Sequence, residues 1–137
     1  DLYNIELGKL KVIKEGSDIT IITYGLGVEW SKTYAKESPY SIEILDLRTL
    51  MPIDFDNILK SVIKTNKVLI LHEDNITGGI GAEISSMISE NAFEYLDAPI
   101  IRLGSLDTPV PFSDNIEKEI YFPVLQIDEK IKFLMNY

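Results

Sequence analysis

The segment 66–93 constrains this chain most. It reads NKVLILHEDNITGGIGAEISSMISENAF. Val68-Leu69-Ile70-Leu71 is apolar on both alternations and has strand length, as a parallel strand covered on both faces would be. The run stops at His72-Glu73-Asp74, and a glycine turn follows, Gly78-Gly79-Ile80-Gly81. Beyond the turn, Ile80, Ile84, Met87, Ile88 and Ala92 recur at helical spacing. Strand, glycine-rich turn and helix make half of a βαβ unit. In open α/β sheets, sites form at the ends of such strands.

The rest of the chain repeats this alternation. Residues 9–14 form a short alternating segment closed by Glu15-Gly16-Ser17-Asp18. Residues 19–24 are β-branched and almost wholly apolar, which predicts a strand. Gly25-Leu26-Gly27 then opens a helix carrying Val28, Trp30, Ser31, Tyr34 and Ala35, closed by Ser38-Pro39. Residues 42–47 read as the next strand. Asp54 reads as the N-cap of a helix that places Phe55, Ile58, Leu59, Val62 and Ile63 on one face. Residues 99–103 predict a further strand, and Ile127, Ile131, Leu134 and Met135 a final helix. Such alternation predicts a mostly parallel sheet with helices on both faces.

The 137 residues suit one domain with a single core. No apolar run approaches the ~20 residues needed to span a bilayer. No basic head precedes an apolar stretch at the N-terminus, so no secretory signal is read. The chain begins at Asp1, which reads as a piece of something longer. The absence of cysteine excludes disulfides and thiolate metal sites, and fits the cytoplasm. The net charge of −9 argues against a nucleic-acid groove. The charge is also uneven. Between Lys67 and Arg102 there is no Lys or Arg, whereas Glu73, Asp74, Glu83, Glu90, Glu94 and Asp97 all fall there. A solvated acidic face is one reading. A docking surface for a basic partner is the other. Glu83, Glu90 and Glu94 stack on one helical face, and a basic partner would relieve their repulsion.

Three features invite chemistry. The backbone N–H groups of Gly78, Gly79 and Gly81 precede a helix and could receive an anion. The turn matches neither GxGxxG nor GxxxxGK[ST], and tight packing of the helix start against the strand is the preferred reading of the glycines. His72, the only histidine, stands at a strand end beside Glu73, where a general base would sit. No cysteine nucleophile or GxSxG serine accompanies it, so a hydrogen-bonded or interface histidine is the competing reading. No ligand spacing supports a metal. Asp107-Thr108-Pro109-Val110-Pro111-Phe112 is a stiff, largely apolar loop. With Tyr121-Phe122-Pro123 it either fills an oligomer interface or packs on its own sheet.

Several ordered motifs now combine. They are Gly8-Lys9 with Glu15-Gly16-Ser17-Asp18, Leu45-Asp46-Leu47-Arg48-Thr49-Leu50 before Pro52, and His72-Glu73 before Thr77-Gly78-Gly79 and Gly81-Ala82-Glu83-Ile84. Leu96-Asp97-Ala98-Pro99 and Leu106-Asp107-Thr108-Pro109-Val110-Pro111 complete the set. From about Gly8 onward the chain closely resembles the C-terminal domain of the E1 β subunit of 2-oxoacid dehydrogenases, within the transketolase C-terminal domain superfamily. The His-Glu followed by Thr-Gly-Gly looks more like the branched-chain (2-oxoisovalerate) enzymes than the pyruvate enzymes.

The resemblance implies a three-layer α/β/α fold with a mixed sheet of about five strands, one antiparallel, for which residues 9–14 are the candidate. It divides the chain into an arm, 1–7, and a domain, 8–137. It implies a parent enzyme that uses thiamin diphosphate and Mg to decarboxylate a 2-oxoacid and acylate the lipoyl group of E2. The cofactor would be held by other domains, leaving this one catalytically silent, with His72 at most lining the entrance to the active site. It implies association with the remaining E1 domains and subunits, a dimer in the full enzyme, and docking of the E2 peripheral subunit-binding domain through Tyr95, Asp97 and the terminal carboxylate at Tyr137. Two alternatives stand beside this reading: the same fold from a pyruvate dehydrogenase or another transketolase-superfamily enzyme, and a free-standing module binding a phosphate ligand at Gly78–Gly81.

Overall fold

A computed structural model describes residues 4–118 and 122–137. Five strands form one sheet: β1 (Lys11–Lys14), β2 (Ile19–Thr23), β3 (Ile42–Asp46), β4 (Val68–Asn75) and β5 (Ile101–Ser105). Their spatial order is β1-β3-β2-β4-β5. β1 lies antiparallel on β3, and all other pairs are parallel. Helices α1 (Leu26–Glu37), α2 (Phe55–Thr65), α3 (Ile80–Ala92) and α5 (Ile127–Asn136) connect or follow the strands, with a single turn, α4 (Asp114–Ile116), between β5 and α5. This is the expected mixed, mostly parallel five-strand sheet with helices. Among the described residues no helix is long and apolar enough to cross a membrane.

Alternation along the central strands divides the core in two. Ile19, Ile21, Ile42, Ile44, Leu69 and Leu71 face α1 and α5, where they meet Ala35, Ile127, Ile131 and Leu134. Ile22, Leu45, Val68 and Ile70 face α2 and α3, where they meet Ile58, Val62, Ile84, Ile88 and Ala92. Every residue of β2 is buried, so the strand reads as a continuous apolar run rather than an alternating one. Several polar groups inside are paired. Thr20 Oγ1 meets Thr65 Oγ1 at 2.7 Å, and Thr65 Oγ1 donates to Ser61 O at 3.1 Å. The buried Glu43 carboxylate takes Lys64, which also reaches Glu15.

The chain leaves β2 to build β3 on one side, then crosses back to build β4 on the other. The order reverses between β2 and β4. Their carboxyl ends therefore open a crevice at Tyr24 and Glu73, the position at which open α/β sheets place ligands.

Some local expectations shift. β4 does not stop at His72 but runs to Asn75. An irregularity in the ladder between Leu71 and Asn75 lets it re-pair with Ser105, and Ser105 Oγ donates to Glu73 O at 2.7 Å. Asp54 occupies the N-cap position of α2 but makes no capping hydrogen bond. Its Oδ2 instead accepts from Leu10 N–H at 3.1 Å and Asn57 Nδ2 at 2.8 Å, tying α2 to the segment before β1. Ile63 is exposed at the edge of the α2 stripe. α3 ends at Ala92 and a 3₁₀ turn, Phe93–Tyr95, follows, so Asp97 does not continue the line of Glu83, Glu90 and Glu94. Tyr121, assigned with Phe122 and Pro123 to a possible interface, lies outside the described residues.

Ile131 is fully buried in the α5 layer while Leu125, on the preceding 3₁₀ turn, is exposed. Ile131→Ala should cost about 2–5 kcal/mol in urea unfolding. Leu125→Ala should stay within about 0.5 kcal/mol. Equal losses would contradict the assignment of α5 to the core.

Candidate functional site

His72 ends the apolar part of β4 and turns toward the start of α3. Its imidazole is wholly buried. Nδ1 lies 3.0 Å from Asp74 O. A carbonyl only accepts, so Nδ1 carries the proton and Nε2 holds a lone pair. Nε2 is buried with no hydrogen-bond partner. The ring is packed by glycines. A Cβ on Gly79 or Gly104 would lie 2.8 or 2.7 Å from its Cε1, and one on Gly81 would lie 2.6 Å from Nε2. The glycine turn thus encloses an imidazole. Gly79 and Gly81 face His72, and of the three turn glycines Gly78, at φ +79°, alone faces open space.

The crevice beside this ring is acidic. Tyr24 stacks against His72, with ring centroids 6.3 Å apart and planes inclined by 21°. Tyr24, Glu73, Asp74, Val110, Glu117 and Phe122 line a hollow of about 460 Å³. Burial raises the Tyr24 phenol above its ordinary value, and the charges of Asp74 and Glu73 add to this. Burial lowers His72 below its ordinary value, against the pull of Asp74. The crevice therefore sets the Tyr24 phenol, with the His72 ring packed behind it, beside a rim of carboxylates. That is a poor receptor for a diphosphate, because Glu73, Asp74 and Glu117 would repel it. Among the described residues no group of three His, Asp or Glu side chains could hold a metal ion.

A second site lies at the opposite end of the sheet, near the start of β4. Asp97 N–H donates to Asn66 O at 2.9 Å, and Asn66 holds the left-handed C-cap of α2 at φ 60°. Asp97 and Tyr137 line one groove of about 440 Å³ with Phe93, Leu96 and Pro99. Tyr95 stands beside it, with its carbonyl accepting from Asn66 Nδ2 at 2.6 Å. Tyr137 rests edge-on against Phe133, ring centroids 5.9 Å apart. Asp97 and Tyr137, 40 positions apart in sequence, are thus brought to one surface. Phe93, 76% exposed at its rim, was not singled out from the sequence. An aromatic residue stranded among acids at the end of an amphipathic helix was the available signal.

His72 sets a pH dependence. The native fold keeps the imidazole neutral, whereas the unfolded chain titrates it near its ordinary 6.5. Below that value the unfolded chain binds the extra proton, so this stability is full above pH 6.5 and is lost as pH falls through and below it. The urea midpoint should therefore fall between about pH 7.5 and about pH 5, and fall less in His72→Gln than in the parent. Equal slopes would contradict a buried neutral His72. Separately, Gly81→Ala should destabilise by about 1–3 kcal/mol, because its methyl group meets a ring with no room to retreat.

The profile described as "Transketolase, C-terminal domain" matches residues 8–127. The chain is 38% identical over 138 aligned positions to the pyruvate dehydrogenase E1 component subunit beta of Gracilaria tenuistipitata var. liui, covering 98% of this chain and 43% of that protein. It is 40% identical to the subunit of the same name from Porphyra purpurea, covering 99% of this chain and 42% of that one. The chain thus spans less than half the length of these relatives. In fold it resembles a split-gene transketolase solved as an inactive β4 tetramer, with a TM-score of 0.77 at 22% identity, covering 98% of this chain and 43% of that one. With the five-strand mixed sheet and the motif order, these matches lead to one conclusion: the chain belongs to the transketolase C-terminal domain family.

Proposed function

We propose that this chain is the C-terminal assembly domain of the E1 β component of a thiamin-diphosphate-dependent 2-oxoacid dehydrogenase, with residues 1–7 as the arm and 8–137 as the domain. The parent enzyme decarboxylates pyruvate and passes the acyl group to lipoyl-E2. The observation that carries this is the similarity across 98–99% of the chain to proteins named pyruvate dehydrogenase E1 component subunit beta. That similarity moves the substrate from the branched-chain acid favoured by the His-Glu and Thr-Gly-Gly motif to pyruvate. The cofactor and its Mg belong to other domains in this reading. The acidic rim of Glu73, Asp74 and Glu117 supports that division, since it disfavours a diphosphate. His72 then acts as packing behind the crevice rather than as a base.

The Asp97 groove is the proposed seat of the E2 peripheral subunit-binding domain. Asp97, Tyr137 and Tyr95 would meet a basic surface there, and Phe93 would supply apolar contact. Acidic Glu90 and Glu94 lie exposed nearby in sequence and add steering charge.

Two measurements test this. The full-length parent, assembled with its E1 partner subunit and lipoyl-E2, should show the higher kcat/KM with pyruvate. A preference for 3-methyl-2-oxobutanoate would return the substrate to the branched-chain class. In calorimetric titration, the E2 subunit-binding domain should bind at low salt and weaken as salt rises. Asp97→Lys should weaken binding on the order of tenfold or more. Binding unchanged by Asp97→Lys would remove this groove from the docking role.

A further inference from the structure

The groove at Asp97 has two walls, and neither belongs to the sheet. One is the stretch 96–100, which lies between the 3₁₀ turn and β5 and is part of neither. Ala98 is buried in the α1 and α5 layer, while Leu96 packs against the α2 and α3 layer, so this stretch passes over the end of the sheet. Asp97, between them, is exposed. The other wall is the last turn of α5, ahead of the exposed Tyr137. A helix leaves its last four carbonyls without partners inside the helix, so such a turn frays unless a donor from elsewhere takes them.

One two-residue turn, Asn66-Lys67 between α2 and β4, grips both walls. Asn66 O accepts from Asp97 N–H at 2.9 Å, and Asn66 Nδ2 donates to Tyr95 O at 2.6 Å. A single residue thus holds the backbone on either side of Leu96. Lys67 Nζ donates to Leu134 O at 2.9 Å, in the last turn of α5, where a cation also suits the negative end of the helix. Ending α2 requires none of these bonds. The backbone of Asn66 does that, with φ at 60° and its N–H donating to Val62 O at 2.8 Å. The turn is itself anchored in the core, because Thr20 N–H of β2 donates to Lys67 O at 2.9 Å.

We infer that the Asn66-Lys67 turn is the positioning element of the docking groove. It holds Tyr95 and Asp97 on one side, and the Tyr137 end of α5 on the other, at a separation set by the buried strand β2. The basic partner is then selected by how well its contacts match that separation. Neither side chain of the turn needs to touch the partner. This role rests on the groove being the seat of a basic surface. The charge of Lys67 separates positioning from steering. A basic partner would bind more tightly if a nearby cation were lost, whereas a groove with a loosened wall loses affinity to the cost of ordering it.

Calorimetric titration of the parent enzyme, assembled from its full-length chains, with the E2 subunit-binding domain tests this. Asn66→Gly keeps the left-handed turn and removes the Nδ2 donor. It should weaken binding on the order of three- to tenfold. Lys67→Met removes the bond to Leu134 O and should weaken binding by a similar factor, although it strips a cation from beside an acidic groove. Lys67→Arg keeps a charged donor and should bind within about twofold of the parent. In the Asp97→Lys background, Asn66→Gly should cost less than it does alone, because it acts through the wall that carries Asp97. Thermal midpoints above the titration temperature verify that each variant is folded. Unchanged affinity in Asn66→Gly or Lys67→Met, tighter binding by Lys67→Met, Lys67→Arg binding as weakly as Lys67→Met, or a fully additive loss on top of Asp97→Lys would each overturn the inference. If Asp97→Lys itself leaves binding unchanged, the groove is not the seat and this role falls with it. If Asp97→Lys weakens binding while the two turn variants do not, the positioning role alone is lost.

Discussion

Covering β2 and β4 on both faces is the requirement from which the rest of this molecule follows. Ile19, Ile21, Leu69 and Leu71 need one helical layer, and Ile22, Val68 and Ile70 need another. Neither layer alone would keep these strands from water, and each buried aliphatic side chain is worth roughly 1.5–3 kcal/mol. Two layers require the chain to cross the sheet in both directions, and that reversal opens the crevice between β2 and β4. The position of Tyr24 and Glu73 is thus a by-product of packing. What lines the crevice is a matter of chemistry, and here the lining is acidic.

The imidazole of His72 shows how one residue can look catalytic in sequence and lie wholly buried in space. Its place at a strand end beside Glu73 suggested a base. The fold gives its Nδ1 to a backbone carbonyl, buries its Nε2 and packs three glycines around the ring. The glycines themselves are explained by the ring they surround, which accounts for a turn that fits no phosphate-binding pattern.

Much of the fold was legible because it rests on local periodicity. The Ile58 and Val62 stripe, the β-branched run at 19–23 and the Ile127, Ile131 and Leu134 helix all follow from spacing alone. What escaped depends on partners distant in sequence. β4 outran its apolar run because Ser105 was there to pair with Asn75. Asp54 looked like a cap until Leu10, 44 positions earlier, claimed its carboxylate. β1 became a strand through the family resemblance, since four residues with two lysines carry little pattern of their own. The same holds for surfaces. Asp97 and Tyr137 were named from motif, but their common groove and its Phe93 rim exist only once α3 and α5 are packed.

The two outermost strands have a further effect. β1 shows Lys11 and Lys14 to solvent, and β5 shows Arg102. An incoming strand at either margin would have to desolvate or displace a cation. The sheet is therefore closed to lateral growth, and fibre-like stacking of one subunit beside the next is discouraged. A contact made at either margin would have to rest on side chains rather than on backbone pairing.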